Sequence, residues 1–354
     1  LLIMLSGWGL MVTGWALSPS YALESWGKVS GVLLAGLVAY YTLKHSMAMQ
    51  QERMRLALIF GFVVAVLFLI FEVGTGGIIS RAIRQMIGSG RGFLMHDLNR
   101  GATFLALIAW PFMLAVVRQL EGPRRYMAAL GLWVVVLGIL LQLESMSAIM
   151  GFLGATLVFL YVYLLRGHGL KLLAVLAAVL VLALPHLARQ LDSNDMPGWA
   201  QNLPDSNFHR LLIWEFVMQN AKKRPWLGYG MNASKFIPGA EERIIYNRVT
   251  VNRWQRLPSH PHNAVLQLWL DMGYVGVILY AFLLMLTVEA LRRSHLPLPL
   301  LAASLATLAA YGGISLTAFN VWQEWWVASA WFAALYLVIL RDPVPAPACK
   351  TVGS

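Results

Sequence analysis

The chain has 354 residues, of which 59% are hydrophobic and only 12% charged, with a formal net charge of +11. Such a balance excludes an ordinary soluble domain. Its single cysteine, Cys349, excludes an intramolecular disulfide and argues against a cysteine-built metal site.

Apolar runs of roughly 17 to 25 residues, the length that crosses about 30 Å of hydrocarbon as helix, recur along the chain. Ten spans are predicted, at 1–17, 26–43, 55–73, 102–117, 126–143, 147–165, 170–185, 273–290, 298–317 and 322–340. The expected fold class is all-α, a polytopic helical bundle. The chain opens at Leu1 rather than methionine, so an N-terminal piece is expected to be missing. The first run reads as an anchor and not as a cleaved signal.

If the spans alternate, Lys44, Arg53, Arg55, Arg118, Arg124, Arg125, Arg166, Lys171, Arg292, Arg293, Arg341 and Lys350 all lie on one side. The short opposite loops, 18–25, the turn at Glu144 and the link around Asn320, contain no lysine or arginine. Basic residues gather in cytoplasmic loops, so both ends are expected in the cytoplasm. No Asp, Glu, Lys or Arg falls near the midplane of a predicted span. Ion-coupled transporters place ionisable groups there, so chemistry is expected at the outer interface instead.

Two long outer segments carry most of the remaining basic residues. In 74–101, the glycines of Gly74-Thr75-Gly76-Gly77 break the preceding helix. Ile78, Ile79, Ile83, Met86 and Ile87 then predict a short amphipathic helix lying in the headgroup region, with Arg81 and Arg84 beside it. Arg91 and Arg100 follow, and His96 and Asp97 read as hydrogen-bonded loop residues. Arg100 is either a snorkelling anchor or a phosphate ligand.

The second segment, 188–262, opens on a turn-rich linker and predicts an amphipathic helix over 207–221. Its apolar face is Leu211, Trp214, Phe216, Val217 and Met218. Arg210 would sit in the first turn, where the helix dipole disfavours a cation, so another reason for it is expected. Arginine outnumbers lysine across both segments. They are either a solvated basic surface or an electropositive site for phosphate or pyrophosphate, which arginine recognises well.

The segment ends at Leu257-Pro258-Ser259-His260-Pro261-His262-Asn263, where a polar loop becomes an apolar helix. Pro261 suits a first helical turn. Asn263, Gln267 and Asp271 recur every four residues and predict one polar stripe. The positive helix N-terminus should keep His262 neutral, making it a candidate general base. His260 and His262 could also ligate a metal with Asp192, Asp195, Glu241 or Glu242. No Glu-x-x-His or cysteine partner supports such a site, and metal independence is expected.

Phe208-His209-Arg210…Trp214…Pro225-Trp226-Leu227-Gly228-Tyr229-Gly230, followed by His262-Asn263, nine residues and Gly273-x-x-Gly276, resembles the O-antigen ligase superfamily. That group includes O-antigen ligases, O-antigen polymerases and protein-O-oligosaccharyltransferases. The chain departs from the family pattern at Met146-Ser147-Ala148-Ile149-Met150-Gly151, where relatives often carry Ser-Arg-Gly, and at Leu279, where a small residue is common. The resemblance implies a bacterial inner-membrane bundle of about 10–12 helices, an active site facing the periplasm, and no cofactor. Membrane helices over 1–187 would precede a periplasmic catalytic loop at 188–262; helices over 263–340 and a cytoplasmic tail at 341–354 would follow.

It also implies an undecaprenyl-pyrophosphate-linked O-antigen donor and a lipid A–core acceptor, within membrane lipids and without nucleic acid. A periplasmic reaction lacks nucleotide sugars, so the donor must carry its own activation. Fixed guanidinium groups would stabilise the departing pyrophosphate. Arg210 and Arg100 are the first candidates, then Arg81, Arg84 and Arg91. His262 would accept the proton of the attacking hydroxyl, with Asn263 or Gln267 assisting its orientation. No carboxylate is placed as a nucleophile, so inversion at the anomeric carbon is expected. An O-antigen polymerase would use the same donor; a lipid-linked sugar transporter would need polar spans or a repeat, which the sequence lacks.

Overall fold

The computed structural model describes residues 1–89, 92–188, 198–243 and 254–341, without the side chains of Trp199 and Gln201. The first half runs α1 (Leu2–Met11), α2 (Pro19–Lys44), α3 (Ala48–Gly74), α4 (Ile78–Met86), α5 (Asn99–Val117), α6 (Arg124–Gln142) and α7 (Met146–Leu164). The second runs α8 (Leu170–Leu187), α9 (Gly198–Gln201), α10 (Asp205–Ala221), α11 (Ala264–Arg293), α12 (Leu298–Ser315) and α13 (Glu324–Ile339). Among the described residues there is no β-strand, only an isolated bridge between Arg243 and Gln255.

Among the described residues eight helices are long and apolar enough to cross a membrane, which makes this a multi-pass helical membrane protein. The two remaining expected spans are helical but shorter, at Leu2–Trp15 and Glu324–Ile339. Each is cut short by a tertiary contact. After α1 the backbone turns extended at Ala16, and Leu17 N donates to Tyr229 O at 3.0 Å. Before α13, residues 318–322 run alongside α11 instead of beginning a helix.

Apolar side chains in lipid gain nothing from mutual burial, so packing and close approach hold the bundle together. Helix α5 is buried along nearly its whole length and forms its centre. Around it, Phe62 of α3 stacks on Phe112 with ring centroids 3.7 Å apart. Small residues permit the closest crossing: Gly151 of α7 faces Ile314 of α12, and a Cβ added there would lie 2.5 Å from Ile314 Cγ1. Other helices leave large apolar residues bare, such as Phe60 at 73% and Leu164 at 72% exposed, as lipid-facing surfaces do.

Helix α11 is two helices joined across Gly273, which has φ 66° and ψ −171°. Backbone groups freed by a break within the membrane must find partners in protein. Here Tyr229 N and Gly230 N donate to the carbonyls of Leu270 and Asp271 at 2.9 and 2.8 Å, and Trp8 Nε1 donates to Met272 O at 3.0 Å. Tyr274 N finds Pro225 O at 2.8 Å. The Pro225–Gly230 run therefore exists to mate with the break.

Candidate active site

The site begins at the turn before α11. The polar stripe is present, but its groups face protein. Asn263 is the N-cap, its Oδ1 accepting from Val265 N and Leu266 N at 3.1 Å each. Pro261 lies ahead of the cap and not in the first turn, and its carbonyl accepts from Trp214 Nε1 at 3.0 Å. Gln267 is fully buried; its Nε2 donates to Asn320 Oδ1 at 2.7 Å and its Oε1 accepts from Val321 N at 3.1 Å. Asp271 is equally buried and accepts from Asn232 N, Ala233 N and Trp322 Nε1 at 3.1, 3.1 and 2.7 Å. Asn263 Oδ1 and both ends of the Gln267 amide thus orient the backbone around His262.

These bonds lay the 318–322 link parallel to the first half of α11. Their partners set Ala318 beside His262, Asn320 beside Gln267 and Trp322 beside Asp271. Ala318 O accepts from His262 Nδ1 at 2.7 Å and from His260 Nε2 at 3.0 Å. A carbonyl only accepts, so both nitrogens carry hydrogen and both tautomers are set. His260 Nδ1 is left to accept from Ser259 Oγ at 3.0 Å. Among the described residues, His262 Nε2 has no hydrogen-bond partner, and its lone pair is uncommitted.

The His262 backbone is left-handed at φ 55°, and the ring is partly covered. Burial is the main reason its pKa falls to about 3, with His260 and Arg210 adding to the effect. The expected helix-dipole origin gives way to desolvation. His260 and His209 are lowered as well, again chiefly by burial.

Arg210 approaches from α10. This helix starts at Asp205, so Arg210 lies beyond the first turn and the expected dipole penalty does not apply. Trp214, one turn further on, shares its face and is tied to Pro261, which aims Arg210 at the histidine turn. Its charge reaches His260, His262 and His209. Burial lowers the pKa of the guanidinium itself, yet among the described residues it forms no ion pair. Beside it His209 Nε2 donates to Gln255 O at 2.9 Å.

Arg100 opens α5, exposed, with its guanidinium over the Trp325 ring at 5.4 Å. Trp325 meets Phe319 edge-on at 4.7 Å, and Phe319 adjoins the shared carbonyl of Ala318. Arg81 and Arg84 lie on α4, which Glu72 of α3 fixes by accepting from Ile79 N and Ser80 N at 2.8 and 3.0 Å. Arg81 donates to Thr75 O at 3.2 Å. Arg84 is held by Asp97 and by the carbonyl of Gly92, so its charge is already matched. Arg91 lies outside the described residues, as do Asp192 and Asp195 of the possible metal set. Glu242 pairs with Arg256 at 2.8 Å, and no group of three or more metal-ligating side chains is found among the described residues.

Residues 130–281 match the family model described as O-antigen ligase. Three rickettsial proteins provisionally named polysaccharide ligases are similar over most of the chain. That of Rickettsia conorii is 27% identical over 299 residues, covering 83% of this chain and 69% of its own. Those of Rickettsia felis and Rickettsia bellii are 27% and 26% identical, each covering 96% of this chain and 80% of theirs. No solved structure matches.

The chain is similar to the O-antigen ligase superfamily, and the family model matches it over residues 130–281.

Sequence reasoning missed Ala318, Asn320 and Asn232 as parts of the site, and marked His260 only as a possible metal ligand. Asn232 and Asn320 meet at 2.7 Å across 88 residues, and no periodicity announces such a pair. The only hint was the link around Asn320, conspicuously free of positive charge.

Proposed function

We propose that the protein is an O-antigen ligase, transferring O-antigen polysaccharide from undecaprenyl pyrophosphate to a sugar hydroxyl of lipid A–core on the periplasmic face of a bacterial inner membrane. One observation carries the reading: a desolvated Arg210 without an ionic partner among the described residues, aimed at a histidine whose free nitrogen is Nε2. A half-buried guanidinium without a counter-charge carries a desolvation cost, which an anionic substrate would offset.

In the reaction, the acceptor hydroxyl oxygen attacks the anomeric carbon while the bond from that carbon to the pyrophosphate oxygen breaks. The electron pair leaves on the pyrophosphate, where Arg210 and Arg100 stabilise the growing charge. His262 Nε2 takes the hydroxyl proton, and Nδ1–H on Ala318 O holds the ring through the transfer. A single displacement inverts the anomeric centre. Arg84 is left out of this assignment because Asp97 already occupies it, and Arg81 is secondary.

Purified protein given lipid-linked donor and separate acceptors should release undecaprenyl pyrophosphate and form polymer-bearing lipid A–core. In cells, loss of the protein should leave long polymer unattached to core. Shortened polymer instead would identify a polymerase.

Arg210→Lys and Arg210→Ala should each weaken donor binding and lower turnover. A single transition-state donor of this kind is worth about 10²–10³ in rate. Equilibrium donor binding and single-turnover rates check this, and unchanged donor affinity in Arg210→Ala would remove the arginine from the pyrophosphate site.

The pH dependence follows from the depressed imidazole. His262 acts as the neutral form, which persists as pH falls until close to 3 in the free protein. The acid limb of kcat/KM should therefore lie well below the ordinary histidine range near 6.5. A bound pyrophosphate offsets Arg210 and favours the imidazolium, so the kcat limb should lie at higher pH than the kcat/KM limb. Coincident limbs near pH 6.5 would oppose this placement. Stability moves in the same direction. The unfolded chain takes up this proton near 6.5 and the native one near 3, so acidification across that window destabilises by up to about 1.4 kcal/mol per pH unit for each such histidine.

A further inference from the structure

A cavity of about 770 Å³ lies at the end of the bundle opposite His262, where α2, α11 and α13 end and α3 and α12 begin. Its lining has two parts. Lys44, the last residue of α2, and Arg341, just beyond α13, bring positive charge to it. Both are exposed, and among the described residues neither forms an ion pair. Further in, Leu107, Leu308, Leu337 and Ala334 make the wall apolar.

The serine and threonine hydroxyls that also line it are already used. Ser304 Oγ donates to Leu300 O at 2.7 Å and Thr307 Oγ1 to Ala303 O at 2.8 Å, each within its own helix. Their hydrogens are not offered to a guest, so the interior presents few donors to a polar solute. A cationic rim over an apolar slot matches a molecule with an anionic head and a hydrocarbon tail.

Helix geometry favours a lipid from the surrounding leaflet. With 16 residues, α13 is about 24 Å long, short of the roughly 30 Å of hydrocarbon. A short span thins the bilayer around it, which draws headgroups inward toward its end. Arg341 stands at that end, and Lys44 faces the same cavity from α2. Basic pockets between membrane helices bind anionic headgroups in this way.

We propose that this cavity binds one anionic glycerophospholipid, its phosphate between Lys44 and Arg341 and an acyl chain along the α12–α13 wall. The site is separate from the histidine turn and does not depend on the transferase reading. The lipid would join α2 to α13 where no described ion pair does so.

Native mass spectrometry of the full chain, titrated with phosphatidylglycerol or phosphatidylcholine, tests this. The wild type should retain one phosphatidylglycerol in preference to phosphatidylcholine. Lys44→Glu with Arg341→Glu should lower that preference roughly tenfold or more. Arg53→Glu, an exposed cation outside the cavity lining, should leave it intact. Ala334→Trp should reduce retention by filling the slot without changing charge, and thermal unfolding checks that each variant is folded. Equal loss in Arg53→Glu would reduce the effect to surface electrostatics and overturn the site. So would wild-type preference in the double variant, undiminished retention in Ala334→Trp, or displacement of the lipid by glycerol phosphate at matched concentration.

Discussion

His262→Asn should abolish polymer transfer while leaving donor binding close to that of the wild type. Asparagine is the informative replacement because the backbone here is left-handed at φ 55°, a conformation that asparagine tolerates and most residues do not. The variant therefore removes the base with little change to the turn. A positioned general base contributes about 10²- to 10⁴-fold, so a loss of that size is expected in single-turnover transfer. His262→Ala should lose as much activity and also some stability, since it gives up the bond to Ala318 O and carries the left-handed strain. Transfer at the wild-type rate by a folded His262→Asn protein would take the base out of the mechanism. Loss of donor binding together with transfer would instead make His262 part of the pyrophosphate site.

Gly273→Ala should be the most destabilising single-methyl change in the chain. Its ψ of −171° with φ 66° is a region open essentially to glycine alone. An added Cβ would stand 2.1 Å from Trp226 O and 2.2 Å from Trp226 C, both backbone atoms that cannot rotate away. Relief would require moving the 225–230 run, and with it the bonds that occupy the carbonyls of Leu270 and Asp271. We expect a cost of several kcal/mol, above the roughly 1–3 kcal/mol of backbone strain alone, and little folded protein. Gly154→Ala is the matched control, since its Cβ would meet nothing within 4 Å. It lies inside α7, where alanine is the better helix former, so no loss is expected there. Thermal unfolding in detergent compares the two. Equal stability of both variants would mean that the break at Gly273 is not the anchor of the outer loop.

The two glycines of the family signature acquire separate reasons from this geometry. Gly273 allows the break and the close approach of Trp226. Gly276 sits against Met272, displaced by the same break, with Met272 Cβ 2.4 Å from where its own Cβ would be. Spacing alone shows that two glycines recur three residues apart, and not that one of them interrupts a helix.

Amino-acid order alone settled the membrane class and the helical character of every expected span. Each depends on local composition: an apolar run of sufficient length must become helix in lipid, whatever surrounds it. It also marked His262 and Arg210, because polar and cationic residues at the mouth of apolar helices are rare. Tertiary structure alone decided which helices are shortened, that α11 is broken, and that Asn263 and Gln267 orient the backbone around His262. It alone paired His260 and His262 on one carbonyl of Ala318. A backbone oxygen has no residue type, and contacts such as Asn232 with Asn320 join segments far apart in the chain. Hydrophobic periodicity reports which face of a helix is apolar; it carries no information on which distant loop supplies the partner for a freed hydrogen bond.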